Sequence, residues 1–191
     1  GNALQEQEKV EEAIEAFKKA LSIKPDYAEA YNNMGSVLEE KGILEDAIEV
    51  FNKALSIKPN LAEAWSNGAD ALDRWNKLDQ LEIWLNRAVD SFNEVPSDIL
   101  FQKAKMLWRK KKYQETFYLL KDIKIETISK TRMQDYLHLK AKCFEKFEKF
   151  EDAYKCYAKS NSLAKTSKEY SICDHEQYFQ NLKDKLAKLK S

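Results

Sequence analysis

The sequence predicts an all-α protein, a superhelical solenoid of antiparallel helical hairpins closed by a C-terminal capping helix. Three observations carry this. Two segments nearly superimpose 34 residues apart, with Phe17, Pro25 and Tyr31 of one matching Phe51, Pro59 and Trp65 of the other. Only four Gly and three Pro occur in 191 residues, too few for the tight turns of a β-rich chain. Within each segment, aromatic residues and Leu recur at spacings of three, four and seven, building one apolar stripe per helix.

In order along the chain, the period predicts a partial repeat over 1–27, repeats over 28–61, 62–96, 97–131 and 134–165, and a capping helix over 168–189. The expected helices are 2–7, 11–23, 28–41, 45–57, 62–75, 78–92, 97–111, 113–123, 132–148, 151–163 and 168–189. Pro25 and Pro59 stop a helix just after the basic Lys24 and Lys58, which favour a helix C-terminus. Asp26 and Asn60 are read as N-caps of the next helix. Gly42 sits where a left-handed C-cap is needed. The spacing lengthens near 93–96 and 124–131, which marks those loops for mobility. The last helix would carry Ile172, Phe179, Leu182, Leu186 and Leu189 on one face, as a terminal cap requires.

About 43% of residues are hydrophobic and 34% charged, too apolar for a disordered chain and too charged for a membrane protein. No run of about 18 apolar residues occurs, and no secretory signal is visible. A cytoplasmic location without a membrane partner is therefore expected. Cys143, Cys156 and Cys173 are odd in number and lack C-x-x-C spacing, so they are read as reduced thiols. Residues 1–95 hold 10 Lys/Arg and 19 Asp/Glu, residues 96–191 hold 22 and 13, and the halves bear formal charges of −9 and +9. Most of these charges are expected on solvated outer faces.

The residues at the repeat positions make a more specific pattern. The second repeat has Tyr31, Met34, Gly35, Leu38, Ala47, Phe51, Ala54 and Pro59; the third has Trp65, Ala69, Leu72, Leu81, Leu85 and Ala88. The fourth and fifth are degenerate, with Leu100, Ala104, Leu107, Thr116 and Leu120, then Leu137, Ala141, Phe144, Ala153 and Tyr157. The pattern resembles tetratricopeptide (TPR) repeats over about residues 1–165. That resemblance implies a concave groove lined by the first helix of each hairpin and a protein or peptide partner within it.

On such helices, side chains at relative positions 1, 4, 8 and 11 would face the groove. These are Glu29, Asn32, Ser36 and Glu39; Glu63, Ser66, Asp70 and Asp73; Asp98, Phe101, Lys105 and Trp108; then Asp135, His138, Lys142 and Glu145. Asn33 and Asn67 stand beside them and are similar to an asparagine ladder in the repeats of O-linked N-acetylglucosamine transferase. An amide both donates and accepts, so it holds a peptide backbone whatever its sequence. Gln102 continues the ladder and Leu139 ends it. Phe101 and Trp108, interleaved with Lys105 and Arg109, would form an aromatic–cationic anchor if exposed, with core packing the other reading for Trp108. The expected peptide-binding set is thus Asn32, Asn33, Ser36, Ser66, Asn67, Asp70, Phe101, Gln102, Lys105 and Trp108. The carboxylate clamp of some such domains needs Lys or Arg with Asn at set positions; Asn32, Ser36, Ser66 and Asp70 depart from it.

No catalytic activity, cofactor or metal is expected. His138 and His175 have no second ligand at i+3 or i+4, and no glycine-rich phosphate loop or nucleophile elbow occurs. The stretch Phe150–Ala164 is weakly similar to the last repeat before bacterial sulfotransferase domains. An alternative to a peptide-binding scaffold is therefore the non-catalytic recognition arm of a larger sulfotransferase- or glycosyltransferase-like enzyme. Lys110, Lys111, Lys112 and Tyr113 are read as an exposed hairpin turn rather than a nucleic-acid site. The incomplete first hairpin and the opposed charges of the two halves leave room for a homo-oligomer.

Overall fold

A computed structural model describes residues 2–164 and, beyond them, the helical positions 180, 181, 184 and 187. The expected capping helix over 168–189, with Ile172, Phe179, Leu182, Leu186 and Leu189, otherwise lies outside the described residues, as do Cys173 and His175. Nine α-helices are found among the described residues: α1 Asn2–Ile23, α2 Ala28–Glu40, α3 Leu44–Ile57, α4 Ala62–Arg74, α5 Leu78–Asp90, α6 Ser97–Arg109, α7 Tyr113–Asp122, α8 Lys130–Lys146 and α9 Phe150–Ala164. The chain forms two compact units, Gly1–Met106 and Leu107–Ser191.

The turns inside the hairpins have one backbone design. Gly42, Asn76, Lys111 and Glu148 all have positive φ, at 81°, 59°, 61° and 58°. Their spacings of 34, 35 and 37 residues follow the sequence period. Behind each, the next N–H reaches back five residues: Ile43 to Leu38 O, Lys77 to Leu72 O, Lys112 to Leu107 O and Lys149 to Phe144 O, at 2.9–3.0 Å. This is the hydrogen bond that satisfies the orphaned carbonyls of a left-handed helix end.

The first expected hairpin differs from this design. One uninterrupted helix, α1, replaces the expected pair over 2–7 and 11–23. Where the next repeat has Gly42, this one has Glu8, and nothing in the local sequence supplies a low-cost left-handed break. The expected caps also differ. The N-caps of α2 and α4 are Tyr27 and Leu61, neither with a side-chain cap bond; Asp26 and Asn60 lie one residue earlier, in the turn. The lengthened loop near 124–131 contains a 3-10 turn, Ile125–Thr127, pinned by the burial of Ile128 (5% exposed).

Size complementarity closes the hairpins. Ala47, Phe51 and Ala54 of α3 are fully buried, and burying a Phe side chain is worth about 1.5–3 kcal/mol. Gly35 of α2 makes room for Phe51: an added Cβ would lie 2.6 Å from Phe51 Cε1. The next hairpin solves the same packing with other residues. Gly68 takes the place of Met34, and Trp84 the place of Val50. A Cβ on Gly68 would lie 2.1 Å from Trp84 Cζ2. Trp84 Nε1 donates to Trp65 O at 2.9 Å, and the two indoles meet edge to face at 5.1 Å.

Candidate functional site

In unit Gly1–Met106, helices α2, α4 and α6 supply the residues expected to face a ligand. The observed arrangement is a polar row in which each repeat donates to the one before. Asn67 Nδ2 donates to Asn32 Oδ1 and to Ser36 Oγ, both at 3.1 Å. Gln102 Nε2 donates to Asp70 Oδ1 and, at 3.5 Å, to Ser66 O. Lys105 Nζ then lies 3.5 Å from Asp70 Oδ1 and 3.6 Å from Asp73 Oδ2. Arg74 crosses in the same direction, donating to Glu39 Oε1 at 2.9 Å and Glu39 O at 3.0 Å.

Burial sorts the expected site residues. Asn32, Ser66, Phe101 and Gln102 are buried, at 8%, 7%, 1% and 2% exposure. Asn33 is exposed, and Ser36, Asn67, Asp70 and Lys105 are half-buried. An exposed aromatic anchor containing Phe101 is therefore corrected. Its ring is packed in the core, and Lys105 Nζ lies 6.0 Å from its centroid. Position 4 of these helices, held by Asn32, Ser66 and Phe101, turns towards the packed interior. In the other unit, Trp108 is half-buried and stacks edge to face on Tyr113 at 4.8 Å.

Spacing singled out Lys105, which engages Asp70 and Asp73, but not Lys58 or Arg74. Lys58 Nζ lies 2.7 Å from Glu29 Oε1; that hydrogen bond holds the Glu29 carboxyl below its usual range and raises Lys58. The signal available in the sequence was charge alternation one repeat apart, Glu39 with Arg74 and Asp70 with Lys105. Lys105 and Asp70 keep 29% and 26% of their side-chain surface exposed, enough for both to touch a ligand.

Among the described residues no group of three or more His, Cys, Asp or Glu is placed to hold a metal. No described helix is long and apolar enough to cross a membrane. His138 is exposed and lies edge to face on Tyr157 at 5.4 Å. Cys143 is buried, and burial pushes its thiol up to about 11.

Comparison with known proteins agrees with the repeat design. Residues 1–42 match the family described as TPR repeat, and residues 28–61 match Tetratricopeptide repeat. No curated protein matches the sequence significantly. The fold is similar to that of YrrB, described as a TPR protein with an unusual peptide-binding site, at TM-score 0.61 and 17% identity over 78% of this chain and 75% of that one. It is similar to MamA at TM-score 0.64 and 19% identity over 87% and 95% of the two chains. It is also similar to MamA 41-end from Desulfovibrio magneticus RS-1, at TM-score 0.62 and 14% identity over 88% and 93%. Residues 1–61 thus carry tetratricopeptide repeats, within an all-helical repeat fold.

Proposed function

We propose that this repeat protein is a non-catalytic interaction scaffold that holds a peptide or extended protein segment along the polar row of α2, α4 and α6. The observation that carries the reading is the graded row itself: exposed Asn33, then half-buried Ser36, Asn67, Asp70 and Lys105, the last four each tied to the repeat beside it. Such preorganised polar groups lower the ordering cost of binding. The similarity of Asn33 and Asn67 to an asparagine ladder supports the same reading.

The hydrogen bonds refine the chemistry. Both N–H groups of Asn67 are directed at Asn32 and Ser36, so its Oδ1 is the atom for a ligand N–H. Lys105 presents donors for a ligand carbonyl or carboxylate. Asn32, Ser66, Gln102 and the buried Phe101 position these groups rather than meet the ligand.

The test is site-specific photo-crosslinking in the intact chain. A photoreactive residue at Asn33 or Ser36 is expected to capture a partner that the same residue at Lys53, exposed on α3, does not. Asp70→Asn with Lys105→Met is expected to weaken that capture about tenfold. Equal capture from Lys53, or full capture by the double variant, would sink the reading.

A further inference from the structure

The unit Leu107–Ser191 contains a cavity of about 280 Å³ between α7, α8 and the start of α9. Phe117, Leu120 and Phe144 make its apolar floor, and Lys121, Lys140 and Lys149 stand around it. Asp152 is the acidic residue on its lining. It lies away from the face of α8 that carries the exposed Asp135, His138 and Lys142, so it is not the polar row of the fifth repeat.

The same place in the first hairpins holds another cavity, of about 510 Å³, between α1, α2 and α3. Three lining residues from α8 and α9 correspond in register with lining residues from α2 and α3. Through the periods of 34, 35 and 37, Lys140 stands where Met34 is, Phe144 where Leu38 is, and Asp152 where Asp46 is. The charge around the two is opposite. Glu11, Glu15, Asp46 and Glu49 line the first with Lys18; three lysines and one aspartate line the second. The repeat scaffold therefore keeps the cavity while the sequence reverses its charge.

Two of the lysines are also held. Lys149 Nζ sits 4.8 Å from the centre of the Phe117 ring. Lys140 Nζ donates to Tyr136 Oη at 2.8 Å, and that hydroxyl donates to Leu120 O at 3.2 Å. An ammonium fixed over an aromatic floor is a ready partner for a carboxylate beside an apolar side chain. The volume falls below the range of about 300–1,000 Å³ usual for small-molecule sites. It suits one anchoring side chain of a larger partner.

We propose that this cavity docks an acidic peptide segment, with one Phe or Leu side chain on the Phe117–Phe144 floor and flanking Asp or Glu carboxylates on Lys121, Lys140 and Lys149. This site is separate from the polar row of α2, α4 and α6 and does not depend on it.

The experiment is fluorescence anisotropy with the full chain and a labelled peptide, Ser-Asp-Glu-Leu-Phe-Asp-Glu-Ser. Saturable binding that weakens with salt is expected. Replacing Leu-Phe by Ala-Ala should weaken it at least fivefold, and Lys121→Glu with Lys149→Glu about tenfold or more. The same double variant should gain binding of Ser-Lys-Lys-Leu-Phe-Lys-Lys-Ser, a gain that misfolding does not produce. Asn33→Ala should leave all of this unchanged. The proposal is overturned by no binding at millimolar peptide, by equal binding of the Ala-Ala peptide, or by equal binding to the charge-reversed variant. It is also overturned by loss in Asn33→Ala, or by tighter binding of a single-stranded oligonucleotide than of the peptide.

Discussion

Lys111 and Glu148 hold a backbone conformation that L side chains rarely adopt, at φ 61° and 58°. Each carries strain of about 1 kcal/mol that glycine lacks. Lys111→Gly and Glu148→Gly are therefore expected to stabilise the protein by about 0.5–1 kcal/mol each, read from urea unfolding; Gly42→Ala should destabilise by a similar amount. A second residue-scale expectation concerns Cys143. Its thiol is raised to about 11 by burial, so it stays protonated below that pH. Alkylation at pH 8, followed by peptide mapping, should label it only as the protein unfolds. The turn at Gly42 was legible because glycine advertises it. The turns at Lys111 and Glu148 were not legible from residue type, and only the period located them. Asp26 and Asn60 misled for a related reason: a short polar side chain favours a turn as readily as a cap.

At the scale of the helices, the hairpins are matched by volume rather than by identity. Met34 with Val50 and Gly68 with Trp84 stand at the same positions in successive repeats. Gly68→Met alone is expected to unfold or severely destabilise the α4–α5 hairpin, since even one carbon would meet Trp84 at 2.1 Å. Trp84→Val alone should cost about 2–4 kcal/mol through the cavity it leaves. The double variant should recover most of the loss, giving a coupling of at least about 2 kcal/mol in a double-mutant cycle. Additive losses would show that the pairing is not what packs the hairpin. Most helix boundaries were legible from the apolar stripe, but α1 was not. The repeat register called for a break that the residues around Glu8 do not provide.

Over the whole chain, the row of amides links one repeat to the next inside the unit Gly1–Met106. Asn67→Ala removes two donors and leaves the acceptors on buried Asn32 and half-buried Ser36 short of a partner, a loss of about 1–2 kcal/mol. Trp65, Trp75 and Trp84 belong to that unit and Trp108 to the other. In a Trp108→Phe background, fluorescence therefore reports the first unit alone. Asn67→Ala is expected to lower the fluorescence midpoint in urea more than the far-ultraviolet circular dichroism midpoint, because stability in such arrays is local. The period and the hairpin order were legible in the sequence at this scale. The accessibility of the row was not. Asn33, Asn67 and Gln102 hold one helix position yet pass from exposed to buried, and only the neighbouring repeat decides which.

The exchange of Met34 and Val50 for Gly68 and Trp84 also limits how such a chain can change by duplication. Hairpins that look interchangeable by length are not interchangeable by halves. A crossover between α4 and α5 that brought in the partner of another repeat would set a glycine against a valine, leaving a void, or a methionine against a tryptophan, leaving no room. Whole hairpins are therefore the smallest pieces that recombination or a designer can move without repair. The join belongs in the turns after Lys24 and Lys58, where the proline turns separate one matched pair from the next.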